Sequence, residues 1–187
     1  MAKTGLTEYR YSPATVDAST GAITYSGAKT PGKAISFQMS LTKADATLYA
    51  NDAEAESDNS VIGGDGTIGI DRSDLTTMAE LLGHTIDSGG EVIDNVEDTP
   101  PYVGFGRVVP IIQDGVKKYR ATLLSLIKCS EPDENDTTRG QTVEFGTYEI
   151  PCKLTIPVSG NWRYRKVFTT LADAVTYIEG LLAAPTP

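Results

Sequence analysis

The architecture of this chain follows from residues 102–128, which read YVGFGRVVPIIQDGVKKYRATLLSLIK. Apolar residues extend on both sides of Asp114-Gly115, and this dipeptide favours a two-residue hairpin turn because both residues tolerate positive φ. The segment therefore predicts two long antiparallel strands, 102–112 and 116–128. Residues 123–127, LLSLI, are apolar on both faces, so we expect the second strand to be covered on both sides by helix, sheet or a neighbouring subunit.

Period-two alternation predicts further strands. Residues 35–42, ISFQMSLT, alternate apolar with polar side chains, which is the pattern of a strand with one buried and one wet face. The buried set is predicted to begin at Ile35. Residues 61–71 repeat the pattern more weakly, with Ile68 and Ile70 inward.

A strand predicted at 141–156 changes phase. Its apolar residues occupy odd positions as far as 145 and even positions from 148. A slip of one residue turns every side chain over, so we predict a β-bulge near Gly146. Pro151 has no N–H, so the strand should lie at an edge there or bend.

The last predicted strand, 161–168, alternates aromatic and basic residues. It should place Trp162, Tyr164 and Phe168 on one face, with Arg163 and Arg165 on the other.

A first helix is predicted at 74–82, where apolar residues recur with helical spacing. Gly83 ends it, and Asp71 or Ser73 is available to cap its start. The single histidine of the chain, His84, follows the glycine. That position favours a role at the helix C-terminus, where a partial positive charge suits the helix dipole, over ligation or catalysis.

A second helix is predicted at 171–182, with Thr170 and Asp173 in the positions of a capping box. Two regions follow from this organisation. Residues 1–168 form one β-domain, and residues 169–187 form a C-terminal helix and a short tail.

Three acidic stretches poor in core-forming residues are predicted to protrude from the β-domain as loops. They lie at about 42–62, 87–99 and 131–140, and the acidic, core-poor part of the first is residues 51–60. Long loops of this kind are often functional.

Composition narrows the classes of function. A net charge of −9 argues against a conventional phosphate-binding surface, which needs clustered Lys and Arg. Cys129 and Cys152 are too few for a disulfide framework or structural zinc site, and we expect two buried free thiols, with a bridge between neighbouring strands as the alternative. No stretch has the length of a membrane span, and the start lacks a signal-peptide pattern, so we expect a protein made in a cytoplasm.

Catalytic motifs are missing from the sequence. It contains no G-x-S-x-G, H-E-x-x-H or P-loop pattern, and no histidine other than His84. We therefore expect a protein that is not an enzyme and that uses no cofactor or metal.

Several segments, taken in order, resemble the major tail protein family of long, non-contractile-tailed phages (siphophages). These segments are residues 5–13, 46–52, 75–85, 101–106, 130–145 and 160–164. They run through nearly the whole chain to about Phe168. The resemblance implies a mainly β, sandwich- or barrel-like tail tube fold with a flanking α-helix, to which the predicted C-terminal helix is an addition.

The same resemblance implies a function as a structural subunit of a phage tail tube. Such subunits close into hexameric rings, and the rings stack into a conduit for genome delivery. The implied partners are further copies of the chain, a tape-measure protein and tail-tip or terminator proteins. Double-stranded DNA would pass without specific binding, no membrane would be involved, and the protein would reside in the virion after assembly in the host cytoplasm.

Two groups of residues are candidates for this function. Residues 42–60 carry an apolar pair and then turn acidic, so we expect contact with an adjacent subunit through Leu48, Tyr49, Asn51 and Asp52. A wall that lets DNA slide should not bind phosphate. The candidate lumen wall is Ser36, Gln38, Ser40, Thr142 and Glu144, the alternative being that the acidity lies on the outer surface and serves solubility.

A second function class stays open from the sequence. A monomeric β-sandwich that binds or decorates, for example a carbohydrate-binding module on a virion, would use the acidic loops as its contact surface. Rings or tubes seen by electron microscopy would favour the first class, and monomers that bind glycans the second.

Overall fold

The computed structural model describes residues 2–44, 46–50, 53–72, 74–134 and 147–183. Thirteen strands and two helices are assigned within these ranges. In chain order they are β1 Ala2–Lys3, β2 Glu8–Val16, β3 Ile23–Tyr25, β4 Ala34–Lys43, β5 Ala46–Ala50, β6 Ala53–Asp58, β7 Val61–Ile70, α1 Leu75–Leu82, β8 Thr85–Ile86, β9 Val92–Ile93, β10 Tyr102–Gln113, β11 Val116–Cys129, β12 Tyr148–Leu154, β13 Arg163–Phe168 and α2 Leu171–Ala183.

The central feature is the β10–β11 hairpin, and its prediction is confirmed. Gln113 pairs with Val116 across the turn. Asp114 and Gly115 have φ of 54° and 76°, the left-handed values that a two-residue turn of this kind requires. The pairing shifts register between Val103 and Phe105, where β11 accommodates an extra residue.

The outer edge of β11 is divided between two partners. Its first part, Tyr119–Leu124, pairs with β13, and its end, Ile127–Cys129, pairs with β12. The strand order is therefore β3-β2-β10-β11, continuing to β13 on one branch and through β12 and β7 to β4 on the other. β11 thus passes from one antiparallel layer into another, and the fold is mainly β and sandwich-like.

The main core lies between these two layers. Tyr9, Tyr11 and Phe105 from one layer pack with Ile68 and Ile150 from the other. Helix α1 contributes Leu81 and Leu82 to the same core. Phe37 of β4 stacks on Phe105 with ring centroids 5.7 Å apart, which joins the outermost strand to the centre.

Helix α2 covers the opposite face of β10 and β11. Ala174, Ile178 and Leu182 are fully buried against Leu123 and Leu126 of β11. The strand is therefore apolar on both faces because one face meets the sandwich core and the other meets the helix, as its sequence predicted.

The start of α2 is capped as the sequence predicted. Asp173 donates its backbone N–H to the Thr170 hydroxyl oxygen at 3.2 Å, and that hydroxyl donates to the Asp173 carboxylate at 2.7 Å.

Residues 42–62, predicted to protrude as a loop, contain strands β5 and β6. β6 pairs with β5, and the N–H of Ala44 donates to the carbonyl of Ser60, so β4–β5 and β6–β7 form one long hairpin. Cross-strand pairing overrides the weak strand propensity of Ala, Glu and Asp here. The 87–99 stretch contains β9, which pairs with β8. Of the third stretch, residues 131–134 have no regular structure and 135–140 lie outside the described residues.

Two predicted inward faces are wrong at one position each. Ile35 is 48% exposed because the β4–β7 register shifts between Ala34 and Ser36. Trp162 precedes β13 and packs into the sandwich core, whereas Tyr164 and Phe168 face α2. The predicted alternation is therefore correct from Phe37 in the first segment and from Arg163 in the second.

The 141–156 strand is partly described. Ile150, Cys152 and Leu154 are buried as predicted, but Tyr148 is 47% exposed. Pro151 lies where the β11–β12 ladder ends at Cys129, which suits a residue without an N–H. The bulge predicted near Gly146 lies outside the described residues.

The start of α1 differs from the prediction. The N-cap is Asp74, which makes no side-chain capping hydrogen bond. Asp71 instead accepts the backbone N–H of Lys33 at 2.7 Å, and Ser73 lies outside the described residues. Gly83 ends the helix in the left-handed region, at φ 81°, as expected.

The docking of α2 on β10 predicts a steric effect at Gly106. A Cβ on Gly106 would lie 2.2 Å from Cγ2 of Ile178, so Gly106→Ala should destabilise the fold by about 1–3 kcal/mol. Gly180→Ala is the matched control, because a Cβ there meets open space and Ala favours the helix, adding up to about 1 kcal/mol. Urea unfolding measures both, and equal stability of the two variants would contradict the close packing of α2.

Candidate functional site

The outer face of the β4–β7–β12 layer is polar and exposed. Ser36, Gln38 and Ser40 lie on it, as their alternation with apolar residues predicted. Through the register they stand beside Gly69, Thr67 and Asp65 of β7, which in turn stand beside Glu149, Pro151 and Lys153 of β12. We call this surface the polar wall.

Part of the polar wall carries small side chains, at Ser36, Ser40 and Thr67. A Cβ added to Gly69 would lie 2.2 Å from the Ser36 hydroxyl oxygen, so that hydroxyl occupies the space over the glycine. Two opposite charges are neighbours on the polar wall, because Asp65 of β7 is opposite Lys153 of β12. Thr142 and Glu144, the other predicted wall residues, lie outside the described residues.

Strand β4 borders the polar wall with a free edge. Over its ten residues it pairs with β7 on one side, and within the described ranges no strand pairs with its other side. A row of unpaired backbone N–H and C=O groups is a template for pairing with another chain.

Residues 44–60, which include β5 and β6, are called the acidic arm. They contain five Asp and Glu residues and no Lys or Arg. Leu48 and Tyr49 lie in β5, but their side chains, with Asn51 and Asp52, are outside what the structure describes. The predicted inter-subunit contact therefore stays a prediction.

His84 lies in an ionic cluster that the sequence did not reveal. Its Nδ1 is 2.8 Å from Asp98 Oδ2 and its Nε2 is 3.1 Å from Glu131 Oε2. Asp94 is further from Nδ1, at 3.6 Å. The imidazole thus joins the end of α1 to two acidic segments, whereas the backbone N–H of His84, which bonds to the Ala79 carbonyl, completes the helix end.

The contact between His84 and Asp98 shifts the pKa values of these two groups in opposite directions. Hydrogen bonding to Asp98, joined by Glu131 and opposed by burial, raises the pKa of His84 above its ordinary value. The same hydrogen bond lowers the pKa of Asp98. No sequence spacing marks this arrangement, because its members are 14 and 47 residues away from His84.

The two cysteines are opposite one another on β11 and β12. Cys129 and Cys152 are paired in register, buried and free. Burial raises the pKa of each thiol to about 12, which keeps both protonated and unreactive. The prediction of two buried free thiols is confirmed.

Comparison with known proteins assigns no family. No protein-family model matches the chain, and no curated protein gives a significant match. Neither helix of the described ranges is long and apolar enough to cross a membrane. Among the same residues, no group of three or more His, Cys, Asp or Glu side chains is arranged to hold a metal ion.

The His84 cluster predicts a pH dependence. The raised pKa of His84 means that its stabilisation is complete below about pH 6.5 and is lost as the pH rises through the folded-state value. The lowered pKa of Asp98 means that its stabilisation is present above about pH 3.9 and is lost as the pH falls further. The cluster should therefore stabilise the fold most between about pH 4 and 6.5.

NMR titration of the single imidazole tests this assignment. Asp98→Asn should bring the pKa of His84 back towards about 6.5, since it removes the largest cause of the shift. Asp94→Asn is the matched control and should have a smaller effect, because Asp94 is 3.6 Å away and makes no hydrogen bond. An unshifted pKa in the unmodified protein would refute the cluster.

Proposed function

We propose that this chain is the structural subunit of a phage tail tube, with no catalytic activity. In this proposal copies of the chain close into hexameric rings, and the rings stack into a conduit for double-stranded DNA. The observation that carries the proposal is the combination of a free ten-residue β-edge with a polar wall on the same layer. The ordered resemblance to siphophage major tail proteins is the source of the ring and tube geometry.

The free edge supports self-assembly. Natural proteins protect long exposed edges with short strands, prolines or charged residues. The central part of β4, ISFQMSLT, contains neither a charged residue nor a proline. A neighbouring subunit that paired with this edge would satisfy its backbone groups, and repetition around a closed ring would leave no edge exposed.

The polar wall supports a conduit that does not hold DNA. Phosphate binding requires clustered Lys and Arg, each of which releases counterions and tightens the complex. On the polar wall Ser36, Gln38 and Ser40 are uncharged, and the single cation, Lys153, is opposite Asp65 and accompanied by Glu149. Charges act over about 8 Å at physiological salt, so residues on the wall itself determine whether the duplex is retained.

In this proposal the subunit has three kinds of partner. Further copies of the chain form the rings, a tape-measure protein occupies the growing tube, and tail-tip or terminator proteins begin and end it. The mature protein then resides in the virion.

Replacing Leu48 and Tyr49 with Ser should block assembly while the monomer stays folded. Each apolar side chain buried at an interface contributes roughly 1.5–3 kcal/mol, so the double variant loses several kcal/mol per contact. Sedimentation velocity across a concentration series measures the assembly, and circular dichroism checks the fold. Val96→Ser is the matched control because Val96 is fully exposed. Assembly that is unchanged in the double variant would count against this interface.

Charge added to the polar wall should make the tube retain DNA. Gln38→Lys with Ser40→Lys places two cations on each of the proposed six subunits, and duplex binding should then appear at low salt and disappear as salt is raised. The measurement is duplex retention by assembled tubes, with Val96→Lys as a control outside the wall. Tubes that form normally and still release duplex at low salt would show that this face does not line the channel.

A further inference from the structure

One face of the β10–β11–β13 layer carries an unusual concentration of positive charge. Alternation and register place six basic residues on it and no acidic residue of these three strands or of β1. This basic face consists of Lys3, Arg107, Lys118, Arg120, Arg163 and Arg165. The chain has 16 basic residues in all, so ten remain elsewhere against 25 acidic ones.

The basic face lies on the inner side of the sandwich, next to the core residues Phe105 and Leu124. Arg107 follows Phe105 on that side of β10, Arg163 is beside Leu124 in register, and Arg120 lies beyond Thr122 on β11. Its cations are consequently placed at the open end of the sandwich, near the start of β4.

The cations of the basic face lack anionic partners among the described residues. No ion pair joins any of the four arginines to a carboxylate there, and Nη1 of Arg107 and Nε of Arg120 are buried without a hydrogen-bond partner. Other cations of the same chain are paired. Arg10 contacts Glu8 at 2.9 Å and Glu179 at 2.8 Å, and Lys29 contacts Glu80.

Aromatic rings hold two of the arginines in place. The guanidinium of Arg107 lies 3.7 Å from the centroid of the Phe37 ring, and that of Arg163 lies 4.2 Å from the Trp162 ring. Burial, together with the nearby Arg120 and Arg163, lowers the pKa of Arg107 to about 10, so it remains charged at neutral pH. Like charges held close together without a counterion favour the arrival of an anion.

The shape of the site favours a polypeptide carboxylate over nucleic acid. Arg107 and Arg120 line a cleft of about 250 Å³, whose other walls include Leu6, Phe37 and Val109. A recessed, partly apolar cleft of this size admits single side chains of an extended chain. Duplex phosphates, in contrast, are contacted by cations that project from a surface.

We propose that the basic face binds the acidic arm, residues 44–60, of a second copy of this chain. The arm has five Asp and Glu residues and no Lys or Arg, so its charge complements that of the face. The proposal rests on the self-association in the proposed function and identifies the surface that receives the arm. It also explains how a subunit with net charge −9 overcomes repulsion from its own copies, because the arm meets the region where positive charge is concentrated.

A charge exchange between two full-length variants tests the contact. The first variant carries Arg120→Glu and Arg165→Glu, and the second carries Glu54→Lys and Glu56→Lys. Each variant alone should associate at least about tenfold more weakly than the unmodified chain, because the first lowers the formal charge of its face from +6 to +2 and the second lowers that of its arm from −5 to −1. Mixed in equal amounts they should associate again, since the unmodified face of the second variant then meets the unmodified arm of the first, and the introduced Glu side chains meet the introduced Lys side chains. Sedimentation velocity at low and high salt measures all three samples.

Lys117→Glu is the matched control. Lys117 is exposed on the same strand as Arg120, but it points to the other face, towards Tyr119. This variant should associate like the unmodified chain, and circular dichroism of every variant confirms that it is folded.

The outcomes separate this inference from the proposed function. Variants that associate normally, a mixture that stays dissociated, or an unmodified chain that is monomeric at every concentration would overturn the inference. A duplex oligonucleotide that binds the unmodified chain and not the Arg120→Glu, Arg165→Glu variant, with self-association unchanged, would assign the face to nucleic acid and overturn it too. Restored association in open fibres without closed rings would support the inference and contradict the proposed tube.

Discussion

β11 needs cover on both of its faces. Residues 123–127 are each at most 2% exposed, and burial of each of its large apolar side chains contributes roughly 1.5–3 kcal/mol. The second β-layer covers one face and α2 covers the other, so neither could be removed without exposing a continuous apolar strand. The divided edge of β11 adds a second constraint, because it fixes where the layer containing β12, β7 and β4 begins. The positions of the polar wall, the free edge of β4 and the basic face follow from that branch.

The branch gives the molecule two unequal faces. On the β4 side the layer ends in a free edge and the outward polar wall. On the β13 side the inner face extends past the second layer and presents arginines without carboxylate partners. A monomer gains nothing evident from either feature, since unpaired backbone groups and concentrated like charge both oppose solubility or stability. Repeated contact between copies would use both, with the edge pairing to a strand and the basic face meeting an acidic arm.

The sequence predicted the elements with strong local signals. The Asp114-Gly115 turn, the two-sided apolar run of β11, the Thr170–Asp173 cap and the stop at Gly83 all depend on neighbouring residues, and all are confirmed. β2 was not predicted, although the alternation of Tyr9 and Tyr11 with Glu8 and Arg10 is a strand signal. Ile35 and Trp162 were assigned to the wrong face. A register shift displaces Ile35, and Trp162 lies just before its strand begins, and neither feature can be recognised from the alternation of apolar and polar residues. β6 was predicted to be a loop because its residues favour strand only when β5 pairs with them.

The candidate functional surfaces were harder to predict from the sequence. Ser36, Gln38 and Ser40 were found because alternation within a single strand defines a face. The basic face was not found, since its members come from four strands whose alignment depends on the fold. The sequence predicted only the helix-end role of His84. Its contacts with Asp98 and Glu131 were missed because the fold, and not sequence spacing, brings those residues to it.

Cryo-electron microscopy of the assembled chain is the decisive test of the proposed tube. We expect closed six-fold rings in which the free edge of β4 pairs with the adjacent copy and Ser36, Gln38 and Ser40 face the central channel. Particles that remain monomeric at every concentration and with tail-tip components, or rings that carry this surface on the outside, would contradict it.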